Sequence, residues 1–367
     1  MSRVLEAPLV IVVGSGGVGK TTLAAALGLQ SAMKGTDTLV MTFDPSRRLK
    51  DTLGVGERAA DRPAAVAVEA PARLDASLLD ARATFDRLVA RYAPDRAAAD
   101  RITANRFYRQ LSGTLAGILE YMAVERLFEV AEDGGYGRVI LDTPPTRQAL
   151  DFLQAPERLV GFLDSGALNV ALKPWFDDRG RLRAGRLRVV GRPLERLLDR
   201  LVGLGLLRDL AEFFQAFGPL YDGFRSRALE VRRLLRSERT RFILVSGPGA
   251  ERVADTLFFA RKLREAGCHL GPVIVNQVHP PAAAQAHRRT DAPTDGQTGR
   301  RTEALDAGLR LYAALAERDQ RGLAELRALL PGDQIVALPL MAAAPTDLPT
   351  LAALGERLAG LLAPSPD

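Results

Sequence analysis

Hydrophobic positions fall into two kinds of run along this chain. Short apolar blocks recur at 9–13 (LVIVV), 38–44 (TLVMTFD), 64–70 (AAVAVEA), 138–143 (RVILDT), 241–246 (RFILVS), 271–278 (GPVIVNQV) and 334–340 (QIVALPL). Blocks apolar on both faces and separated by helical stretches predict a parallel sheet covered on both sides, an α/β fold. Two longer stretches, 73–133 and 147–237, carry helical spacing instead. Within the second, Leu197, Leu201, Leu204, Leu207, Phe214 and Phe217 recur along one helical face. Core packing explains such a face; a groove for an apolar client or partner helix is the alternative. The predicted organisation is an α/β core contributed by 1–72, 134–146 and 238–367, with a helical subdomain inserted as 73–133 and 147–237. Residues 279–302, rich in Ala, Pro, Arg and Thr without periodicity, read as a disordered surface loop.

In such a sheet, functional loops follow the carboxyl ends of the strands. GSGGVGK, DPSRR, DTPPT and NQV all stand there. The first is the core of Gly14-Ser15-Gly16-Gly17-Val18-Gly19-Lys20-Thr21, which fits G-x-x-x-x-G-K-[ST] between a strand and an Ala- and Leu-rich helix. Glycines at 16, 17 and 19, with Val18 between them, let the backbone aim N–H groups into one concavity. The helix N-terminus adds positive dipole, Lys20 reaches the terminal phosphates and Thr21 offers a hydroxyl to Mg2+. Asp44, at the end of the second block, is placed to orient a water against the γ-phosphate. Asp142 ends VILD in the position that holds a magnesium shell. No N-K-x-D guanine signature occurs, and Asn276 ends a strand where it offers an amide to a purine edge, a satisfied structural asparagine being the alternative, so ATP is the expected nucleotide.

Composition narrows the partners. Lys and Arg total 50 against 44 acidic residues, for a net charge of +6, and all but five of the 50 are arginine. No basic run with interleaved aromatics appears, so no nucleic-acid partner is expected. The lone Cys268 excludes an intrachain disulfide and fits a reducing compartment. Cys268, His269, His279 and His287 lack the spacing of a metal site. The N-terminus runs straight into the first apolar block and no block is long enough to span a bilayer. The expectation is a cytoplasmic protein, with peripheral membrane association as the variant.

Taken in order, GGVGKTT, TFDPSRRLKDTLG, LSGTLAGILEYMAVERL, ILDTPPTRQALDFLQAP, VIVNQ and ALPL resemble the ArsA-type ATPase family, which includes the arsenite-pump ATPase and the ATPase that delivers tail-anchored membrane proteins. The resemblance covers nearly the whole chain outside 279–302, and is strongest to a bacterial branch of anion-transporting ATPases. It implies a P-loop NTPase of the deviant Walker A class, the signal-recognition and MinD-like group, with ATP and Mg2+ as cofactors. It also implies a dimer that binds ATP at the subunit interface and opens and closes its helical subdomains around a protein client or membrane component. On this similarity Gly16, Gly17, Gly19, Lys20, Thr21 and Thr22 hold phosphates and magnesium. Asp44 positions water, Asp142 holds the metal shell, and Asn276 with Pro339 flanks the adenine.

Departures from the family pattern matter equally. The family loop begins G-K-G-G, and its first lysine reaches the partner's phosphates; here Ser15 stands in that place. Arg47 or Arg48 supplying the charge, a lysine-bearing paralogue forming a heterodimer, and a slow switch that chiefly binds nucleotide are three ways to accommodate the loss. One cysteine cannot form a three-coordinate thiolate site, so arsenite is not expected, and the zinc-binding CxxC pair of the targeting ATPase is missing too. A chromosome-partition or division-site ATPase would need a basic DNA patch or a C-terminal membrane helix. The C-terminal LPTLAALGERLAGLLAPSPD is amphipathic but nearly without basic residues.

Overall fold

The computed structural model describes residues 3–42, 48–55, 62–105, 108, 118–144, 146–164, 221–281, 299–332 and 334–363. Eight strands form one sheet in the order β3-β4-β2-β5-β1-β6-β7-β8. In chain order they are β1 (Leu9–Gly14), β2 (Thr38–Thr42), β3 (Ala64–Ala65), β4 (Leu74–Leu78), β5 (Arg138–Asp142), β6 (Thr240–Ser246), β7 (Leu270–Val278) and β8 (Ile335–Pro339). Every pairing is parallel except β3 with β4. The chain thus has the α/β architecture that its apolar blocks predict, with β1 central between β5 and β6.

β1 is central because it is apolar on both faces. Val10 and Val12 join Val40, Ile140, Ile243, Ile274 and Val336 in a buried layer against α1 (Lys20–Met33) and α10 (Leu348–Leu362). Leu9, Ile11 and Val13, pointing to the opposite face, are also buried. Asp347 caps α10 through a reciprocal capping box with Thr350.

Three expectations need correction. The helical stretch does not begin at 73: Leu74–Leu78 is β4, pairing in parallel with β2. Its alternation of Leu74, Ala76 and Leu78 with Asp75 and Ser77 has the period of a strand, and the two polar side chains are themselves buried, which hides the pattern. Conversely, of the 64–70 block only Ala64–Ala65 pairs, antiparallel to β4. The loop expected over 279–302 ends sooner, since α9 (Gly299–Leu329) is already helical at 299. The periodic residues 197–217 lie outside the described residues.

The chain divides into two compact units, one of Met1–Leu79, Val130–Leu150 and Arg236–Asp367, the other of Asp80–Glu129 and Asp151–Leu235. The first holds the sheet with α1, α2 (Arg48–Leu53), α8 (Val253–Glu265), α9 and α10. The second is helical, with α3 (Ala81–Tyr92), α4 (Arg96–Ala104), α7 (Tyr221–Leu235) and most of α5 (Ile118–Asp133) and α6 (Thr146–Asp164). Asp80 and Asp95 cap α3 and α4 through Ala83 N–H and Ala98 N–H. Phe85, Tyr108, Tyr121 and Phe224 build its core. Glu125, fully buried, accepts a 2.6 Å hydrogen bond from Arg227 Nε and one of 3.1 Å from Tyr121 Oη. The Arg227 guanidinium also lies over the Phe128 ring. Among the described residues no helix is long and apolar enough to cross a membrane.

Candidate functional site

The phosphate loop leaves the sheet at Gly14, where only glycine fits: its φ is 150°, and a Cβ there would lie 2.0 Å from Val245 O on β6. Gly17 and Gly19 take left-handed φ values of 75° and 90°, turning successive N–H groups to one side before α1 begins at Lys20. Open space surrounds the side-chain position of Gly17. Gly16 and Gly17 are exposed, Val18 is buried, and Thr21 and Thr22 are half-buried on the first turn of α1. Lys20 is buried, with its ammonium folded over the loop to donate to Ser15 O at 2.9 Å.

Asp142 closes β5 beside this loop. Sheet register sets its Cα opposite Val12 on β1 and Thr42 on β2. Its Oδ2 accepts from Thr21 Oγ1 at 2.7 Å and Thr42 Oγ1 at 3.0 Å, and the residue is fully buried. Two hydroxyls converging on one carboxylate form an all-oxygen donor set at a helix N-terminus. That set suits a hard divalent cation such as Mg2+, and the adjacent glycine turn suits phosphate, so the residues present fit ATP with Mg2+. Thr143 anchors the following loop by donating to Val12 O at 2.8 Å.

Asn276, near the end of β7, touches the phosphate loop directly: its Nδ2 donates to Val18 O at 2.9 Å. The same nitrogen would sit 2.5 Å from a Cβ on Gly19, so the loop packs onto this amide. Its Oδ1 accepts from the N–H of Gln277, which adopts a φ of 60°. Pro339 ends β8 with its Cα opposite Val278, and Leu340 N–H donates to Val278 O. The structure therefore brings Gly14–Thr22, Asp142 and Asn276 together. Asp44 and Arg47 lie outside the described residues, as does the side chain of Arg48, whose backbone opens α2.

Ser15 is buried, and its hydroxyl donates to Asp255 Oδ2 on α8 over 3.4 Å. A cleft of about 270 Å³ adjoins the loop, lined by Gly17, Val18, Arg252, Gln277, His279 and Arg318 among others. Thr42, Asp255 and the His279 cluster escaped the sequence reading. Thr42 could have been found by counting register back from Asp142, but Asp255 lies 240 residues from Ser15 and carries no motif.

Comparison with known proteins agrees with this geometry. A family model described as Anion-transporting ATPase matches residues 7–179, a span that contains the phosphate loop and Asp142. ATPase GET3B of Arabidopsis thaliana is 26% identical over 336 residues, covering 86% of this chain and 76% of that protein. Uncharacterized protein SCO2128 of Streptomyces coelicolor is 34% identical over 192 residues, covering 52% and 46%. A putative arsenical pump-driving ATPase of Halobacterium salinarum is 29% identical over 169 residues, covering 44% of this chain but 26% of its own length.

Proposed function

The chain belongs to the ArsA-type ATPase family and is an ATPase, and on that premise we propose that it works as a dimeric switch. ATP binding and hydrolysis would close and open its helical units around a protein client or a membrane component. The observation that carries the reading is the buried Asp142, held by Thr21 and Thr42 beside Lys20. A buried carboxylate bonded to the first-turn hydroxyl of the helix that follows a phosphate loop is the arrangement that handling a metal-bound phosphate calls for.

Each residue then has a task. The loop N–H groups of Gly16 to Thr22 cradle the phosphates. Lys20 exchanges Ser15 O for a terminal phosphate oxygen. Thr21 and Asp142 hold the metal shell, with Thr42 fixing the carboxylate. Magnesium, when bound, neutralises charge on the phosphate oxygens. Asp44 orients the attacking water, Arg47 and Arg48 are the candidates for the missing positive charge, and Asn276 with Pro339 flanks the adenine.

Ser15 favours a second reading. With no lysine to send across a dimer and its hydroxyl turned to Asp255, this chain would serve as the nucleotide-binding half of a heterodimer. A lysine-bearing paralogue would complete its site. Phosphate release with ATP and Mg2+, measured against protein concentration with Lys20→Ala as blank, separates the two. Specific activity that rises with concentration supports the homodimer. Bound nucleotide without turnover at any concentration overturns it in favour of the heterodimer, and no nucleotide binding at all sinks both.

A further inference from the structure

One polar cluster next to the phosphate loop has no part in the chemistry above. Asp319, on α9, is fully buried. Its Oδ2 accepts from the His279 backbone N–H at 3.0 Å and lies 2.7 Å from His279 Nδ1. Its Oδ1 accepts from Arg318 Nε at 3.2 Å and from an Arg318 terminal nitrogen at 2.9 Å. A carboxylate that takes four hydrogen bonds is an acceptor throughout, so Nδ1 must carry the proton it shares with Asp319. The Tyr312 ring packs edge-on against the imidazole and fixes its plane.

With Nδ1–H turned to Asp319, the acceptor of an unprotonated imidazole is Nε2, on the edge away from Asp319. His279 lines the cleft that adjoins Gly17 and Val18, together with Gln277 and Leu340. The cleft's volume of about 270 Å³ is near the lower limit for small-molecule sites, roughly 300 Å³, and suits a nucleoside better than a larger group. A nucleotide with its phosphates on the loop amides can extend its nucleoside end into it.

We propose that His279 is a specificity-determining residue of the nucleotide site, its Nε2 accepting a hydrogen bond from the amino group of a 6-aminopurine. Asp319 and Arg318 act through it, as positioning residues that hold one tautomer and one ring orientation. The inference rests on the ATP-binding reading. It reaches beyond Asn276, whose amide nitrogen is already engaged by Val18 O.

The test compares ATP with purine riboside triphosphate, which lacks only the 6-amino group, by equilibrium titration of the full chain. One neutral hydrogen bond corresponds to about a tenfold preference for ATP. His279→Leu should lose that preference, binding ATP about tenfold more weakly while the deamino analogue binds as before. Unchanged analogue binding certifies that the variant is folded. Asp319→Asn, which frees the imidazole tautomer, should lower the preference while leaving the analogue's affinity within twofold. If His279→Leu weakens both nucleotides equally, or leaves the ATP preference intact, the proposal is overturned. A chain that binds neither nucleotide, in wild type as in Lys20→Ala, would instead remove the ATP reading itself.

Discussion

Ser15→Lys introduces the one charge by which this loop departs from the G-K-G-G pattern it resembles, and competing energies decide what it should do. Ser15 Oγ lies 3.4 Å from Asp255 Oδ2, so a new ammonium has a carboxylate within reach and could be held there, away from a partner's phosphates. Asp255 is exposed, however, and exposed ion pairs are worth only about 0.2–1 kcal/mol, at most a fivefold restraint. A cation delivered to a transferring phosphoryl group is worth about 10³- to 10⁵-fold in turnover. The gain exceeds the restraint by at least two orders of magnitude. Ser15→Lys should therefore raise phosphate release at saturating ATP by at least about a hundredfold, with the concentration dependence of a dimer. Adding Asp255→Asn should change that rate by less than about fivefold. The reasoning fails if Ser15→Lys binds nucleotide and dimerises yet turns over at the wild-type rate, for then another group already supplies the charge.

Four further outcomes follow from named contacts. Gly14→Ala drives a methyl to 2.0 Å from Val245 O in a positive-φ backbone, and should cost about 2–4 kcal/mol in denaturant unfolding together with nucleotide binding; an unchanged midpoint would contradict the geometry. Asn276→Ala frees Val18 O, so ATP and inorganic pyrophosphate should weaken by similar factors in a competition titration; a loss confined to ATP would assign the amide to the base instead. Arg227→Leu leaves the buried Glu125 without its cation. Burial already pushes that carboxyl above the usual range, so the helical unit should lose about 3–5 kcal/mol by hydrogen exchange, and a loss under about 1 kcal/mol would refute the coupling. Burial alone would raise the Asp319 carboxyl, but hydrogen bonds from His279 and Arg318 hold it below its ordinary 3.8. Its contribution to stability is therefore present above that value and lost as pH falls through the lower folded one. Urea midpoints between about pH 5 and pH 3 should fall more steeply in wild type than in Asp319→Asn, and parallel slopes would disprove it.

How much of this was legible in the sequence depends on the distance over which each signal acts. β1, β2, β5, β6 and most of β7 were readable because strands buried on both faces are continuous apolar runs, and β8 because it is apolar at every position although only one of its faces is buried. β4 was not, because Asp75 and Ser77 are buried polar residues in a strand that borders β3, which breaks the apolar run and leaves only a weak period of two. The pairing of Asp75 Oδ2 with Tyr136 Oη shows what sequence alone hides: a polar residue becomes tolerable inside only through a partner 61 positions away.

The site divides along the same line. Gly14 to Thr21 is contiguous, so the need for positive φ, a helix start and a cation is written in eight adjacent letters. Asp142 announces itself because strand-end carboxylates have few other uses beside such a loop. Thr42, by contrast, is an ordinary strand threonine until the β2–β5 register sets it across from Asp142, and only then does its hydroxyl acquire a role. Ser15 shows the limit most clearly. A sequence reading sees there the loss of a lysine, whereas the fold shows a hydroxyl with a specific partner, Asp255, brought in by the packing of α8 beside the loop. The contact is long and its carboxylate exposed, so it holds Ser15 only weakly, and Ser15→Lys therefore probes the missing charge with little else disturbed.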